Sequence, residues 1–114
     1  MPAASLQAYG GAIADVPDGD TAFSHRGTTF EYVAGARWQD PAEDADRLAA
    51  ARRCAAAMAP FASGVYVNTL SDEGDAGVRR AYSADKLARL TALKTQFDPD
   101  NVFHLNHNIK PELS

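Results

Sequence analysis

The chain has 114 residues, of which 46% are hydrophobic and 23% charged, and a formal net charge of −4. That length supports one domain with a modest core. A pI near 5.2 leaves no basic surface of the kind a phosphate backbone requires, so nucleic acid is excluded as an expected partner. The chain carries no run of about 18 apolar residues and no basic-then-apolar opening in MPAASLQAYGG, so no membrane partner and a cytoplasmic location are expected.

In chain order, YGGAIADV over 9–16 reads as a short strand, followed by a surface turn at VPDGD. From Thr28 to Trp38, Phe30, Tyr32, Ala36 and Trp38 alternate with Glu31 and Arg37, the period of two of a strand with one buried face. Gly35 would permit a bulge there. Asp40-Pro41-Ala42-Glu43 then supplies an N-cap, a proline at the first helical position and an acid that reaches back, so a helix is predicted over 41–60 and stopped at Pro60. Its apolar stripe of Leu48, Ala51, Cys54 or Ala55, and Met58 is narrow, and Cys54 reads as a buried, inert thiol.

GVYVNTL over 64–70 reads as a third strand running into the acidic turn SDEG, with about two helical turns to follow. Ser83 can cap a last helix in which Leu87, Leu90, Leu93 and Phe97 recur at helical spacing, and DPDN ends it. VFHLNHNIKP is extended. The fold class expected from this order is α+β, a small antiparallel sheet with helices packed on one face, in a single domain spanning 1–114. Three strands leave exposed edges, which another chain or a further part of a longer protein would cover.

The residues that bear chemistry are few. His104 and His107 stand three apart in an extended segment, so they point to opposite faces, and His25 and Cys54 complete no ligand set; no metal site is expected. No nucleophile elbow and no glycine-rich phosphate loop is present. What remains is Tyr66, Asn68 and Thr69 in YVNT, and Asn106 and Asn108 in NHNI. Such amides and phenols either bond to nearby backbone or line a wall that faces a heteroaromatic ring.

The run GVYVNTLSDEGDAGVRRAYSADKLARLTALKTQFDPDNVFHLNHNIKP, 64–111, resembles the berberine-like C-terminal segment of FAD-linked oxidoreductases of the vanillyl-alcohol-oxidase type. GGAIADV, TAFSHRG and ARWQDPAED resemble the preceding strands and helix of the same enzymes' substrate domain, so 1–40 corresponds to a partial substrate domain and 41–60 to its helix. The resemblance implies FAD as cofactor, held by a separate FAD-binding domain that this sequence does not contain. It also implies a small-molecule substrate, an alcohol, sugar or secondary metabolite, oxidised by hydride transfer to the flavin. Tyr66 and Asn68 match the motif strand beside the flavin ring, and Asn106 and Asn108 the returning segment. Thr69 stands where the family has a tyrosine implicated in deprotonating the substrate, and a threonine hydroxyl cannot replace a phenol with a pKa near about 10 as a base, so no catalytic residue is assigned. His107 stands where glutamine is common.

Two readings follow. In one, the chain is the substrate-side and flavin-side wall of an oxidoreductase, partnered by an FAD-domain polypeptide. In the other, it is a non-catalytic binding or assembly module that self-associates through an open sheet edge.

Overall fold

The computed structural model describes residues 2–71 and 73–112, so Asp72 of the predicted SDEG turn lies outside the described residues. Strand β1 (Pro2–Ala8) pairs antiparallel with strand β2 (Phe30–Ala36), in a register that sets Ala4 opposite Ala34, Leu6 opposite Tyr32 and Ala8 opposite Phe30. The class is α+β, as expected. The first strand, however, precedes the segment that the sequence pattern favours. Gly10 and Gly11 take φ of 140° and 50°, which turns the chain out of the ladder. Ala12–Asp15 then forms a single helical turn, α1, instead of a strand.

Two further expectations for the sheet are corrected. On β2 the better covered positions are Glu31, Val33 and Ala36, while Phe30 is 55% exposed and Tyr32 lies at the edge of exposure. The phase is reversed because Glu31 faces inward to accept a hydrogen bond from the Tyr9 hydroxyl at 2.7 Å. Gly35 makes no bulge and pairs regularly with Ala3. The predicted strand over 64–70 joins no ladder; Val67–Thr69 closes a 3₁₀ turn, with the Thr69 amide donating to the Tyr66 carbonyl at 3.0 Å. Local bonds from the Asn68 and Thr69 side chains compete with strand pairing, and both are made here.

Helix α2 (Asp44–Met58) is flanked by 3₁₀ turns at Pro41–Glu43 and Ala59–Phe61. Asp40 caps the entry as predicted, accepting from the Ala42 amide at 2.9 Å. Glu43 does not reach back; it pairs with Arg47 one turn on, at 2.9 Å. No residue of α2 is buried, and Cys54 is exposed, contrary to the expected buried thiol. Alanine offers little area to bury, and Arg52 flanks the stripe.

Burial is concentrated instead where helix α3 (Gly74–Ala81) meets helix α4 (Ala84–Phe97). Val78 is 6% exposed, Ala81 2% and Lys86 5%. Ser83 caps α4 as predicted, its hydroxyl accepting from the Lys86 amide. The Lys86 ammonium donates to the Phe23 carbonyl at 2.7 Å and the Ser24 hydroxyl at 3.1 Å, and pairs with Asp18 at 2.9 Å. Arg89 adds a bond to the Gly19 carbonyl at 2.9 Å. The loop between α1 and β2 is thereby strapped onto α4, whose leucine row is left partly open: Leu93 is 50% exposed and Phe97 75%.

Beyond α4, Asp98 accepts from the amides of Val102 and Phe103 at 2.8 and 3.0 Å and is paired with Lys94. That knot reverses the chain, with Asn101 at φ 53°. The last segment returns along the molecule, and the Glu112 amide donates to the Thr95 hydroxyl at 2.9 Å.

Candidate functional site

The hydrogen bonds of YVNT explain how its polar side chains are oriented. The 3₁₀ turn at 67–69 sets Asn68 over Tyr66, and its amide nitrogen donates to the Tyr66 hydroxyl at 2.7 Å. The phenol oxygen is thus an acceptor toward Asn68 and keeps its own proton for another partner. Thr69 instead donates its hydroxyl to the Tyr66 carbonyl at 2.8 Å. Its proton serves the turn.

Tyr66 and Asn68 line a cavity of about 210 Å³ together with Phe23, Val65, Val67 and Tyr82. Phe23 is the residue that sequence reasoning missed. Its ring meets Tyr66 edge-on at 5.7 Å between centroids and lies 6.2 Å from Tyr9, and the Arg26 guanidinium sits 5.0 Å above it. Lys86 fixes the backbone of Phe23 from the far side. A loop phenylalanine with no periodic neighbours offers no pattern to read; the signal lay in a lysine placed within an otherwise ordinary helix.

Two phenols, Tyr9 and Tyr66, meet this ring, and a third, Tyr82, lines the same cavity. Burial, followed by the Glu31 hydrogen bond, pushes Tyr9 up to about 12. Burial likewise raises Tyr82 above its ordinary value, with a smaller contribution from Tyr66 nearby. Both phenols therefore stay protonated at neutral pH, and Tyr9 donates its proton to Glu31.

The returning segment reaches the same corner from below. His107 donates from Nε2 to the Leu70 carbonyl at 2.9 Å, across 37 residues of sequence, and so ties NHNI to the end of the YVNT turn. Asn108 is half-buried; Asn106 is exposed, with a left-handed φ of 61°. Neither lines the cavity at Tyr66. His104 turns away and bonds through Nδ1 to the carbonyls of Asn101 and Val102. No group of three or more metal-ligating side chains occurs among the described residues.

These features fall within a recognised family. Residues 65–110 match the family described as berberine and berberine like. An uncharacterised FAD-linked oxidoreductase of Bacillus subtilis, YvdP, is 34% identical over 103 residues, 90% of this chain and 23% of that protein. Berberine bridge enzyme-like 14 of Arabidopsis thaliana is 32% identical across 93% of this chain and 23% of its own length. FAD-linked oxidoreductase OXR1 of Pyricularia oryzae is 36% identical over 84% of this chain and 20% of its own length. The α+β fold and the YVNT corner thus sit in a domain of the FAD-linked oxidoreductase class. Within that class residues 65–110 carry the berberine-like domain, and the chain spans less than a quarter of the length of these relatives.

No described helix is long and apolar enough to cross a membrane.

Proposed function

We propose that this chain forms the substrate-side and flavin-side wall of an FAD-dependent oxidoreductase that oxidises an alcohol, sugar or secondary metabolite. The observation that carries the reading is the Asn68–Tyr66 pair on the rim of a cavity floored by Phe23. It presents a phenol, an amide and aromatic edges on one wall, the donor and acceptor set suited to the edge of a heteroaromatic ring. At about 210 Å³ the cavity is smaller than the roughly 300 Å³ at which small-molecule sites begin. It holds one edge of a flavin or a small alcohol, and a second polypeptide surface has to complete the enclosure.

Bound FAD would supply the hydride acceptor. The residues of this chain bind and orient: Asn68 fixes the Tyr66 hydroxyl, Tyr66 presents its proton, and Phe23 and Tyr82 exclude water. Asn106 and Asn108 flank the His107–Leu70 bond and lie outside the cavity at Tyr66, so the amide of this wall is that of Asn68. Proton abstraction from substrate falls to a group outside this set, since the Thr69 proton is used by the Tyr66 carbonyl.

The partner that fits is an FAD-domain polypeptide. Phe61, Phe97, Phe103 and Leu105 are each at least three-quarters exposed, and apolar surface of this kind is covered by protein in a working assembly. The test is co-expression of this chain with the part of the Bacillus subtilis relative that lies outside the matched segment. Flavin retained through gel filtration, with its visible spectrum altered in the Y66F and N68A variants, is expected. Loss of flavin from every fraction that contains this chain would remove the reading. Light scattering on the chain by itself separates out the second reading, self-association: a concentration-independent dimer with no flavin retention in co-expression favours an assembly module.

A further inference from the structure

A second hollow, larger than the one at Tyr66, lies between the loop that precedes β2 and the α3–α4 corner. It has a volume of about 660 Å³, and its wall carries His25, Arg26, Arg79 and Arg80 with the hydroxyls of Ser63 and Ser83. The gathering of three arginines runs against the net charge of −4. Its one acidic lining residue, Asp18, is already held by Lys86 at 2.9 Å and by the Arg26 amide at 3.3 Å.

The arginines differ in what they have left to give. Arg26 spends Nη1 on the Ile13 carbonyl and Nη2 on the Thr21 hydroxyl, while its Nε is buried with no acceptor among the described residues. Arg79 and Arg80 have no ion-pair or side-chain hydrogen-bond partner among the described residues. His25 is held in the left-handed region at φ 63°, an unfavourable backbone for this side chain. Its ring fills the space that a Cβ on Gly64 would take, at 2.2 Å, and its Nε2 donates to the Arg80 carbonyl at 3.2 Å. Strain and a glycine are therefore both used to set an imidazole in the wall of a basic groove.

We infer that this groove binds a phosphorylated small molecule, with Arg79 and Arg80 as the charge partners of its phosphate. A phosphate monoester carries a charge of about −1.5 to −2 at neutral pH, which matches two unpaired guanidiniums where a single carboxylate does not. Guanidinium forks bind phosphate oxygens in pairs. The hollow is larger than a bare phosphate needs and lies in the range of about 300 to 1,000 Å³ found for small-molecule sites, and its serine hydroxyls suit a polyol body. Ser24 and Tyr82 line both hollows, so a molecule anchored by its phosphate extends toward Tyr66. Phosphate binding at the arginines requires no flavin and stands apart from the oxidoreductase reading.

The experiment is calorimetric titration of the 114-residue chain with glucose 6-phosphate, with glucose, inorganic phosphate and gluconate run alongside. Glucose 6-phosphate is expected to bind, to bind more weakly as salt is raised, and to bind tighter than the other three. R79Q and R80Q should each weaken it about tenfold, the loss of one charge-assisted hydrogen bond. R47Q, which alters the exposed pair with Glu43 on α2, should change nothing. Circular dichroism checks that each variant keeps its helices, and R79K and R80K, which keep the charge and lose the fork, should recover part of the affinity. Absence of binding, equal binding of gluconate or of inorganic phosphate, or equal affinity in R79Q, R80Q and R47Q would each overturn the proposal.

Discussion

Helix α2 and the corner between α3 and α4 serve opposite purposes. The fifteen residues of α2 bury nothing; the eight of α3 bury Gly77, Val78 and Ala81, and in its first turn α4 buries a lysine. Helix length and intrinsic propensity thus account for α2, whereas the corner depends on contacts that arrive from far away in sequence. Lys86 is the clearest of these, since its three acceptors lie more than sixty residues upstream. The candidate cavity and the basic groove both border this corner, because a corner holds its side chains in place and an exposed helix does not.

The sharpest way to break the comparison is Lys86→Met. It strands the Phe23 carbonyl and the Ser24 hydroxyl, and should cost about 3 kcal/mol in urea unfolding, the low end for losing one partner of a buried charge pair, because Asp18 is half exposed. A midpoint unchanged within error would show that the strap is decorative. Gly64→Ala comes next: its Cβ would meet the His25 ring, and overpacking of this kind costs about 2 kcal/mol. A crystal structure of that variant should show His25 displaced. On the other side of the comparison, Ala55→Gly in α2 should cost only about 1 kcal/mol, because at an exposed site propensity alone is lost.

The smallest effect is acid-dependent. The Lys94 ammonium holds the Asp98 carboxyl below its ordinary 3.8, and Lys86 does the same for Asp18. A carboxyl depressed in the folded state stabilises fully above its unfolded value, and that contribution is lost as pH falls through the folded one. The difference in urea midpoint between the wild-type chain and Asp98→Asn should therefore be constant above about pH 5 and close below 3.8. At the alkaline end the sign reverses. Tyr9, raised to about 12, favours the folded state below 10 and loses that contribution as pH climbs toward 12. Glu31→Gln should bring its phenolate absorbance in at lower pH.

What could be read beforehand follows the same division. The helical segments were legible because capping and periodicity are local: Asp40, Pro41 and Ser83 each stand where a helix entry needs them. β2 was legible by alternation, but its buried phase was not, since Glu31 is inward only because Tyr9 reaches it from 22 residues away. The YVNT turn was mistaken for a strand because propensity weighs Val65, Tyr66 and Val67, while the outcome was decided by two side-chain bonds from Asn68 and Thr69. Of the candidate site, the motif residues were visible in the family pattern. Phe23, Tyr82 and the arginines of the groove were not, because their roles exist only once the loop is strapped to α4.

The knot at Asp98 has a consequence for the tail. One carboxylate takes two backbone amides and an ammonium within five residues, so the chain leaves α4 along a single bearing. Everything from Phe103 onward departs from that pivot, so Asp98 sets the line along which His107 meets the Leu70 carbonyl and Glu112 meets Thr95. The reach of the tail is governed at its root.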